Sequence, residues 1–301
     1  PSHCKERGWE ETNCRGVDYA GARWVAAGSC NYSSRNGIAI SSVAIHYTQG
    51  TYAGSIAWFQ NCTYNGHGSQ VSAHYVIRSS DGQITQMVRE SEKAWHVGSA
   101  NGYAIGIEHE AYGDIASYFT PEMYASSANL TRDICQRNNI STHRVFYRDT
   151  LDDGTVLNAG LHSLGGANAC TKIRGHQHYP SQSHTDPGPY WDWNYYYKLI
   201  NNHTPVITLS NASGTFTDSG GAEGNYSNDE RKLYLIQVEN AERIQLSFSE
   251  FDLEADYDFM WIYDGSSVFS PLIGRWNTHS PNEITSSGNV LLVEFRSDCA
   301  T

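Results

Sequence analysis

The sequence GHQHYPSQSHTDPGPYWDW, residues 175–193, concentrates side chains that can hold a metal ion. The imidazoles of His176, His178 and His184 precede the carboxylate of Asp186. Neutral imidazole nitrogens and ionised carboxylate oxygens are ligands that suit zinc. Because Asp186 precedes a proline, its backbone is predicted to be extended, and the Pro-Gly-Pro turn then aims its carboxylate in one direction. This stretch therefore predicts a loop built around a metal site.

Two upstream segments supply candidate partners for this loop. SSVAIHYT, residues 41–48, predicts a short buried strand that ends at His46, and AIGIEHE, residues 104–110, predicts a strand that carries Glu108. Small residues share the strand face of His46, and Gly106 shares the face of Glu108. These faces are expected to leave room for a cavity that holds water or substrate.

The residue pattern alone leaves two histidines as alternative ligands in the 175–193 loop. His176 and His178 share one face if the local chain is extended, so their spacing does not choose between them. The chain contains 13 histidines, and most of them are expected to fill ordinary surface or core positions.

A set of segments resembles the zinc N-acetylmuramoyl-L-alanine amidases, a family that shares its fold with the peptidoglycan recognition proteins. In chain order these segments are IHYT, SAHYVI, DGQITQMV, AWHVG, AIGIEHE and IRGHQHYPSQSHTDPGPYWDW, and the resemblance covers most of residues 38–200. It implies an α/β fold with a mixed central sheet flanked by helices, which agrees with the mixture of strand and helix patterns in this part of the chain. It also implies zinc as the cofactor and peptidoglycan as the substrate.

The resemblance selects the metal ligands. The family's second ligand is the histidine after a glycine, and its third ligand follows ten residues later, which selects His176 and Asp186. His46 is the first ligand. Three protein ligands leave a fourth position for water, which is the arrangement of a catalytic zinc site. In such a site zinc lowers the pKa of the water to about 7 and polarises the scissile carbonyl.

The resemblance also assigns roles to two residues beside the metal. Glu108 is the general base, which takes a proton from the attacking water and delivers it to the leaving amine. Its plain alternative is a solvated acid on an edge strand. His184 is expected to steady the tetrahedral oxyanion. A rival assignment makes His184 the metal ligand and leaves Asp186 as its hydrogen-bonding partner.

Aromatic and histidine side chains in the family segments are candidates for the substrate groove, and packing in the core or at the rim is their plain alternative. These candidates are Tyr47, His74, Trp95, His96 and Trp191.

The charge of the chain is unevenly divided. The formal net charge is −12, and residues 204–301 alone carry 15 acidic and 5 basic side chains. Because no basic stripe is present, nucleic acid is disfavoured as a partner. No apolar run is long enough for a transmembrane segment. We expect a monomer.

The seven cysteines show no C-x-x-C spacing, which argues against a zinc site built on thiolates. Six lie in the first 203 residues, as expected for disulfides in a secreted or periplasmic protein whose signal peptide has been removed. A Cys135–Cys170 disulfide is one hypothesis. Cys299 is left without an obvious partner.

The elements predicted for the first domain, residues 1–203, follow local turn, capping and periodicity signals. In chain order they are an irregular disulfide-tied segment over 1–37, a helix over 55–60, strands over 72–78 and 83–88 joined by a turn at Asp81-Gly82, a helix from Thr120 to Arg137, and a closing helix over 190–201.

The second domain, residues 204–301, shows strand patterns alone. Runs such as FMWIY (259–263) and VLLVEF (290–295) are separated by turn residues, which predicts a β-sandwich. The segments SGTFTDSGG, FDLEADYDFMWIYDG and ITSSGNVLLVEFRSD resemble CUB domains. CUB domains continue past the SD motif into a final strand, so either the domain is truncated here or its similarity to the CUB family is looser than these segments suggest.

The CUB resemblance implies a calcium site. Glu254, Asp258 and Asp298 match positions that bind calcium in a subset of these domains, and calcium prefers six to eight oxygen ligands. The alternative is a solvated acidic loop without an ion.

Together these features predict a zinc-dependent hydrolase that cleaves the amide bond between N-acetylmuramic acid and L-alanine in peptidoglycan. A non-catalytic peptidoglycan-binding protein is the main alternative, and an adhesion or inhibitor protein built around the CUB-like part is a third possibility. Loss of a metal ligand would be the expected mark of the non-catalytic class, and all three candidate ligands are present.

Overall fold

The structure is a computed structural model that describes residues 16–66, 68–147, 149–150, 156–157 and 170–300. The described residues form two compact units: the first contains residues 16–66, 68–147 and 170–200, and the second contains residues 149–150, 156–157 and 201–300. The predicted domain boundary after residue 203 stays a prediction. Cys4 and Cys14, which belong to the predicted disulfide-tied segment, lie outside the described residues.

The described residues up to Ile200 contain ten strands, of which two have six residues each and the others have two or three. They are β1 (Ala22–Trp24), β2 (Tyr32–Ser34), β3 (Ser42–Tyr47), β4 (Tyr75–Ile77), β5 (Ile84–Gln86), β6 (Glu92–Ala94), β7 (Ala104–His109), β8 (Asp149–Thr150), β9 (Val156–Leu157) and β10 (Ile173–Gly175). Six of them form one sheet in the order β1-β5-β4-β7-β3-β10, in which four neighbouring pairs are parallel and the β4–β5 pair is antiparallel. The predicted mixed sheet is confirmed.

In the part of the chain that the structure describes, three α-helices accompany this sheet: α1 (Tyr52–Gln60), α2 (Pro121–Arg137) and α3 (Trp193–Ile200). Helix α2 begins as predicted, because the Thr120 hydroxyl accepts a hydrogen bond from the Met123 N–H and a proline occupies its first turn. Helix α1 begins earlier than predicted, since the Thr51 hydroxyl caps Gly54. Among the described residues, no helix has both the length and the apolar character needed to cross a bilayer.

Successive side chains along each strand point to opposite faces of the sheet. On β3, Val43 and Ile45 point into the core that α2 and α3 cover, while Ala44 packs on the opposite side with Val97 and Tyr179. Position 46 therefore points away from the helix-covered core and toward the second face of the sheet.

The segment over residues 1–37, predicted to be irregular and tied by disulfides, contains two short strands in the part that the structure describes, and the Cys30–Cys62 disulfide ties it. Strand β1 pairs in parallel with β5 at one edge of the sheet, and β2 pairs with β6. Each strand has three residues, so neither gives a periodic signal, and the partner strand supplies the order.

The disulfides differ from the prediction in two places. Cys30 and Cys62 are bonded to each other. Cys170 and Cys299 each take part in a disulfide bond as well. Cys135 is a buried free thiol, so the predicted Cys135–Cys170 bond is wrong. The reason is that Cys135 faces the core on the inner side of α2. Cys299 is not an unpaired cysteine.

The second unit is all-β, as predicted. Besides β8 and β9, its strands are β11 (Val206–Leu209), β12 (Arg231–Gln237), β13 (Gln245–Leu246), β14 (Phe259–Tyr263), β15 (Leu272–Trp276), β16 (Ile284–Thr285) and β17 (Val290–Arg296). Five form a sheet in the order β11-β12-β17-β14-β15, and β13 pairs with β16. Residues of both sheets, among them Leu246, Ile262 and Val293, share one apolar core, which is the packing of a sandwich.

Candidate active site

The strand order places three candidate residues at one edge of the first sheet. His46 lies near the end of β3 and is paired in register with Glu108 near the end of β7. His176 follows directly after β10, the other neighbour of β3. Because these three strands are parallel, their carboxyl ends meet at the same edge, where α/β proteins commonly bind ligands.

The carboxylate of Asp186 joins the two histidines. Its Oδ2 lies 2.8 Å from Nδ1 of His46, and its Oδ1 lies 3.2 Å from Nδ1 of His176. All three residues are buried, and each offers one ligand atom within 4.8 Å of the others. Two nitrogens and one carboxylate group converge as the ligands of a single small cation do.

The charge state of this group fits a cation as well. Burial lowers the pKa of His46, which keeps its imidazole neutral. Burial alone would raise the pKa of Asp186, but its hydrogen bonds with His176 and His46 outweigh that effect and hold the pKa well below its usual range. The site thus holds an anionic carboxylate beside a neutral imidazole, which is the ionisation state that metal ligands require.

The loop after β10 separates the two histidines that the sequence left as alternatives. Residues His176–His178 form a 3-10 turn, so the extended segment in which they would share a face does not exist. His176 faces Asp186, and its Nε2 lies 2.8 Å from Oε1 of Gln182. His178 turns inward, where its Nδ1 accepts a hydrogen bond from the Gly175 N–H and its ring stacks on Phe146.

The Asp186–Pro187 peptide bond that follows is cis. The Asp186 carbonyl accepts a hydrogen bond from the Gln177 N–H, which ties the two ends of the loop together. The backbone as well as the side chain of Asp186 is therefore fixed beside the 3-10 turn.

His184 lies at the mouth of the site. Its ring stacks on that of His176 with centroids 4.2 Å apart, and its side chain is 62% exposed. Its Nδ1 is 3.8 Å from Asp186 Oδ1, beyond hydrogen-bond distance. The rival assignment of His184 as the metal ligand has less support, because Asp186 lies between both other histidines and His184 does not.

Glu108 is half-buried, and its Oε2 has no hydrogen-bond partner among the described residues. Burial raises the pKa of Glu108 well above its usual range, and the nearby charge of Asp186 adds to this effect. A carboxyl group with one unpartnered oxygen and a raised pKa, close to a second carboxylate, is typical of a proton-transfer group.

The small residues near the site do not leave the empty space that the sequence suggested. A Cβ atom on Gly106 would lie 2.6 Å from Cγ of His96, so the His96 ring occupies that space. Below His46, the face of Ala44 is filled by Tyr179, whose hydroxyl lies 2.5 Å from Oγ of Ser42. Ring side chains distant in sequence therefore fill the positions beside Gly106 and Ala44, and the cavity predicted beside His46 and Glu108 lies in front of these rings.

A cleft of about 950 Å³ opens over the site. Of the predicted groove residues, Tyr47, Trp95 and His96 line it, together with Glu108 and the three candidate ligands. The cleft also reaches the exposed ring of Trp58 on α1, which packs edge-on against Tyr64. Trp58 was not among the predicted groove residues, because a tryptophan in a short helix gives no signal of its position.

Two predicted groove residues lie elsewhere. His74 is fully buried, with Nδ1 accepting a hydrogen bond from the Gly106 N–H, so it braces the sheet below the cleft. Trp191 is buried in the helix-covered core, where it packs against His109 and Tyr124. Neither side chain lines the cleft, so His74 has the bracing role and Trp191 the core-packing role that were the alternatives to substrate contact.

A second cluster of potential ligands occurs in the all-β unit. Glu254, Asp258 and Asp298 bring carboxylate oxygens within 4.8 Å of one another. Asp258 Oδ1 accepts a hydrogen bond from the Asp298 N–H, whereas Oδ2 of Asp258 and Oε2 of Glu254 have no hydrogen-bond partner among the described residues. Burial raises the pKa of Asp258 and of Glu254, and repulsion between the acidic groups adds to the increase.

Comparison with known proteins agrees with both units. The family described as N-acetylmuramoyl-L-alanine amidase matches residues 36–189, and the CUB domain family matches residues 206–301. N-acetylmuramoyl-L-alanine amidase A of Achromobacter lyticus is 39% identical over 186 residues, which are 62% of this chain and 96% of that protein. Human cubilin is 34% identical over 92 residues, which are 29% of this chain and 2% of cubilin. The match to a crystal structure of AmpD covers 61% of this chain and 98% of the AmpD chain, at 25% sequence identity and a TM-score of 0.44.

The fold and the site define a mixed α/β domain whose cleft carries a His–His–Asp cluster and a glutamate, followed by an all-β domain. The chain belongs to the N-acetylmuramoyl-L-alanine amidase family, and its C-terminal part is a CUB domain.

Proposed function

We propose that this protein is a zinc-dependent enzyme that hydrolyses the amide bond between N-acetylmuramic acid and L-alanine in peptidoglycan. The observation that carries the proposal is the Asp186 carboxylate placed between Nδ1 of His46 and Nδ1 of His176, with Glu108 in the same cleft. The family match and the name of the Achromobacter lyticus relative support the choice of substrate.

The donor set fits zinc. Two imidazole nitrogens and one carboxylate are borderline and hard donors that zinc accepts, and three protein ligands are the number found in catalytic sites. His46, His176 and Asp186 would hold the ion. When bound, zinc supplies a Lewis acid for the scissile carbonyl and lowers the pKa of water.

Glu108 is the proposed general base and acid. In the absence of a cation, burial and the charge of Asp186 raise the pKa of Glu108 and so favour its protonated form. A divalent cation beside Asp186 offsets that negative charge and favours the ionised form of Glu108. Glu108 can then take a proton from the attacking water and pass it to the leaving amine as the amide bond breaks.

His184 is the proposed partner of the oxyanion. Its ring stacks on His176, which limits its motion, and its exposed side chain leaves a ring nitrogen free to donate toward the cleft. Tyr47, Trp95 and His96 line the cleft and are the proposed contacts of the sugar or the stem peptide.

The CUB domain is a proposed calcium-binding module. Two carboxylate oxygens, Glu254 Oε2 and Asp258 Oδ2, have no hydrogen-bond partner among the described residues, and burial, with repulsion from neighbouring acids, raises the pKa of both groups. Calcium would take oxygens from Glu254, Asp258 and Asp298 and complete its shell with backbone groups or water.

We further propose that the protein acts outside the cytoplasm, because a disulfide joins Cys30 to Cys62 and disulfides persist in oxidising compartments. A monomer remains our expectation for the oligomeric state.

The test is digestion of purified peptidoglycan by the full chain with zinc present. New alanine N-termini without new reducing sugar ends are expected. New reducing ends would indicate a glycosidase and contradict the proposal. Sedimentation of the protein with the wall material, without any released product, would favour the non-catalytic binding protein.

A further inference from the structure

His96 contacts His46, the first proposed metal ligand, at the ring nitrogen that does not face Asp186. Nδ1 of His96 lies 2.9 Å from Nε2 of His46, while Nδ1 of His46 lies 2.8 Å from Oδ2 of Asp186. Each ring nitrogen of His46 therefore has one partner. An imidazole that binds a cation through Nδ1 carries its proton on Nε2, and this proton needs an acceptor in a buried site. Nδ1 of His96 is placed to be that acceptor.

We propose that His96 is a positioning residue, which holds His46 in the tautomer that leaves Nδ1 available to the metal. The inference rests on the proposed zinc-dependent function and extends it to a residue outside the three proposed ligands. A neutral imidazole can donate or accept through the same nitrogen, so His96 can hydrogen-bond with His46 before and after the cation binds.

The ring of His96 sits in a slot that the surrounding backbone creates. Gly106 leaves the space for it, because a Cβ atom there would lie 2.6 Å from Cγ and Nδ1 of the His96 ring. Asn101 fixes the adjoining backbone, since its Oδ1 accepts hydrogen bonds from the N–H groups of His96 and Val97 at 3.0 and 2.7 Å. The orientation of His96 is thus set by the protein before any ligand arrives.

His74 supports the slot from the other side. Its Nδ1 accepts the hydrogen bond of the Gly106 N–H at 3.0 Å, and its ring packs edge-on against that of His96 with centroids 5.6 Å apart. Its Nε2 lies 3.0 Å from Nη2 of Arg35. A continuous set of contacts therefore runs from Arg35 through His74 and His96 to the metal ligand His46.

Two substitutions of equal shape test the hydrogen bond. Asparagine and leucine share one branched skeleton, but His96→Asn keeps a polar atom near the position of Nδ1 and His96→Leu does not. The zinc dissociation constant of the full chain is measured by competition with a chromophoric chelator. We expect His96→Leu to weaken zinc binding by about 10–100-fold and His96→Asn to remain close to the parent. Thermal unfolding of both metal-free variants checks that they fold.

A measurement on the parent protein decides the question without any substitution, and it also serves if His96→Leu does not fold. Nitrogen-15 NMR of the histidine rings in the zinc-loaded protein is expected to show His46 protonated on Nε2. A proton on Nδ1 of His46, or parental zinc affinity in a folded His96→Leu variant, would overturn the inference and leave the proposed function intact. Failure of the parent to bind zinc would overturn both.

Discussion

The two clusters of potential metal ligands differ in how their charges are balanced. In the cleft, the Asp186 carboxylate lies between two imidazoles, and its pKa is held below the usual range. In the CUB domain, Asp258 lies beside two further acids, and burial together with repulsion by Asp298 raises its pKa. The carboxylate of the cleft cluster is therefore stabilised as an anion by its histidine partners, whereas the carboxylates of the acidic cluster repel one another.

This contrast predicts different responses to the removal of a ligand. A buried site with oriented ligands should lose its ion and its chemistry together. Removal of a carboxylate from the acidic cluster should abolish the stabilisation of the protein by calcium. It should leave peptidoglycan hydrolysis unchanged, because the cluster belongs to the other domain.

The largest effect is expected from Asp186→Ala. This change removes the one carboxylate among the three proposed ligands, so zinc content and wall digestion should both fall to background. Asp298→Ala is the matched control from the acidic cluster and should keep both. Metal analysis by mass spectrometry and the release of alanine N-termini are the measurements. Parental zinc content in Asp186→Ala would contradict the assignment.

Glu108→Gln should separate metal binding from chemistry. The amide keeps the shape of the side chain but cannot carry a proton from water to the amine, so turnover should fall by about 10²–10⁴-fold. Zinc content should stay at the parental level, because Glu108 is not one of the proposed ligands. If the variant digested peptidoglycan at the parental rate, Glu108 would not be the general base and would be an ordinary acidic residue at the end of its strand.

Calcium should stabilise the protein through the CUB domain. At a free calcium concentration 100 times the dissociation constant, a ligand bound only by the folded state adds about 2.7 kcal/mol to the free energy of unfolding. Calcium titration of the thermal unfolding midpoint measures this effect. Asp258→Asn should abolish the shift, and His176→Ala should leave it unchanged. A parent protein with no shift would show that the cluster is a solvated acidic loop.

The effect that is smallest per pH unit concerns the free energy of unfolding of the metal-free protein in acid. Burial lowers the pKa of His74 and of His109 to about 3. The unfolded chain binds protons at these residues below pH 6.5 and the folded chain does not, so the free energy of unfolding falls as pH decreases from 6.5 to 3. Each residue contributes a loss of about 1.4 kcal/mol per pH unit in this window.

Denaturant unfolding at pH 7 and pH 5 in the presence of a chelator tests this dependence. His109→Gln removes one titrating group while keeping polar atoms that can reach the His46 carbonyl and Ser127, its present partners. The variant should lose less stability than the parent between the two pH values. Equal losses in the two proteins would show that His109 does not titrate on unfolding.

Local sequence signals were sufficient where strand ends and ligand chemistry determine position. The sequence grouped His46, His176 and Asp186, and the structure brings these side chains together because β3 and β10 are parallel neighbours. Their role as zinc ligands stays a prediction. The α/β fold followed by a CUB domain is confirmed.

Contacts between residues distant in sequence account for the failures. Trp191 is buried because His109 and Tyr124 from other elements pack against it, which no property of its own segment reveals. The space beside Gly106 is filled by His96, and the edge strand β1 exists only through its pairing with β5. Local patterns cannot predict which distant side chain fills a gap.

The proposed ligands come from two mechanically different parts of the chain. His46 is held by the hydrogen-bonded register of the sheet, whereas His176 and Asp186 belong to the loop after β10. A cation bound by all three proposed ligands would fasten the loop to the sheet. Because the same loop carries His184 at the mouth of the cleft, binding of the ion would also fix the shape of that opening.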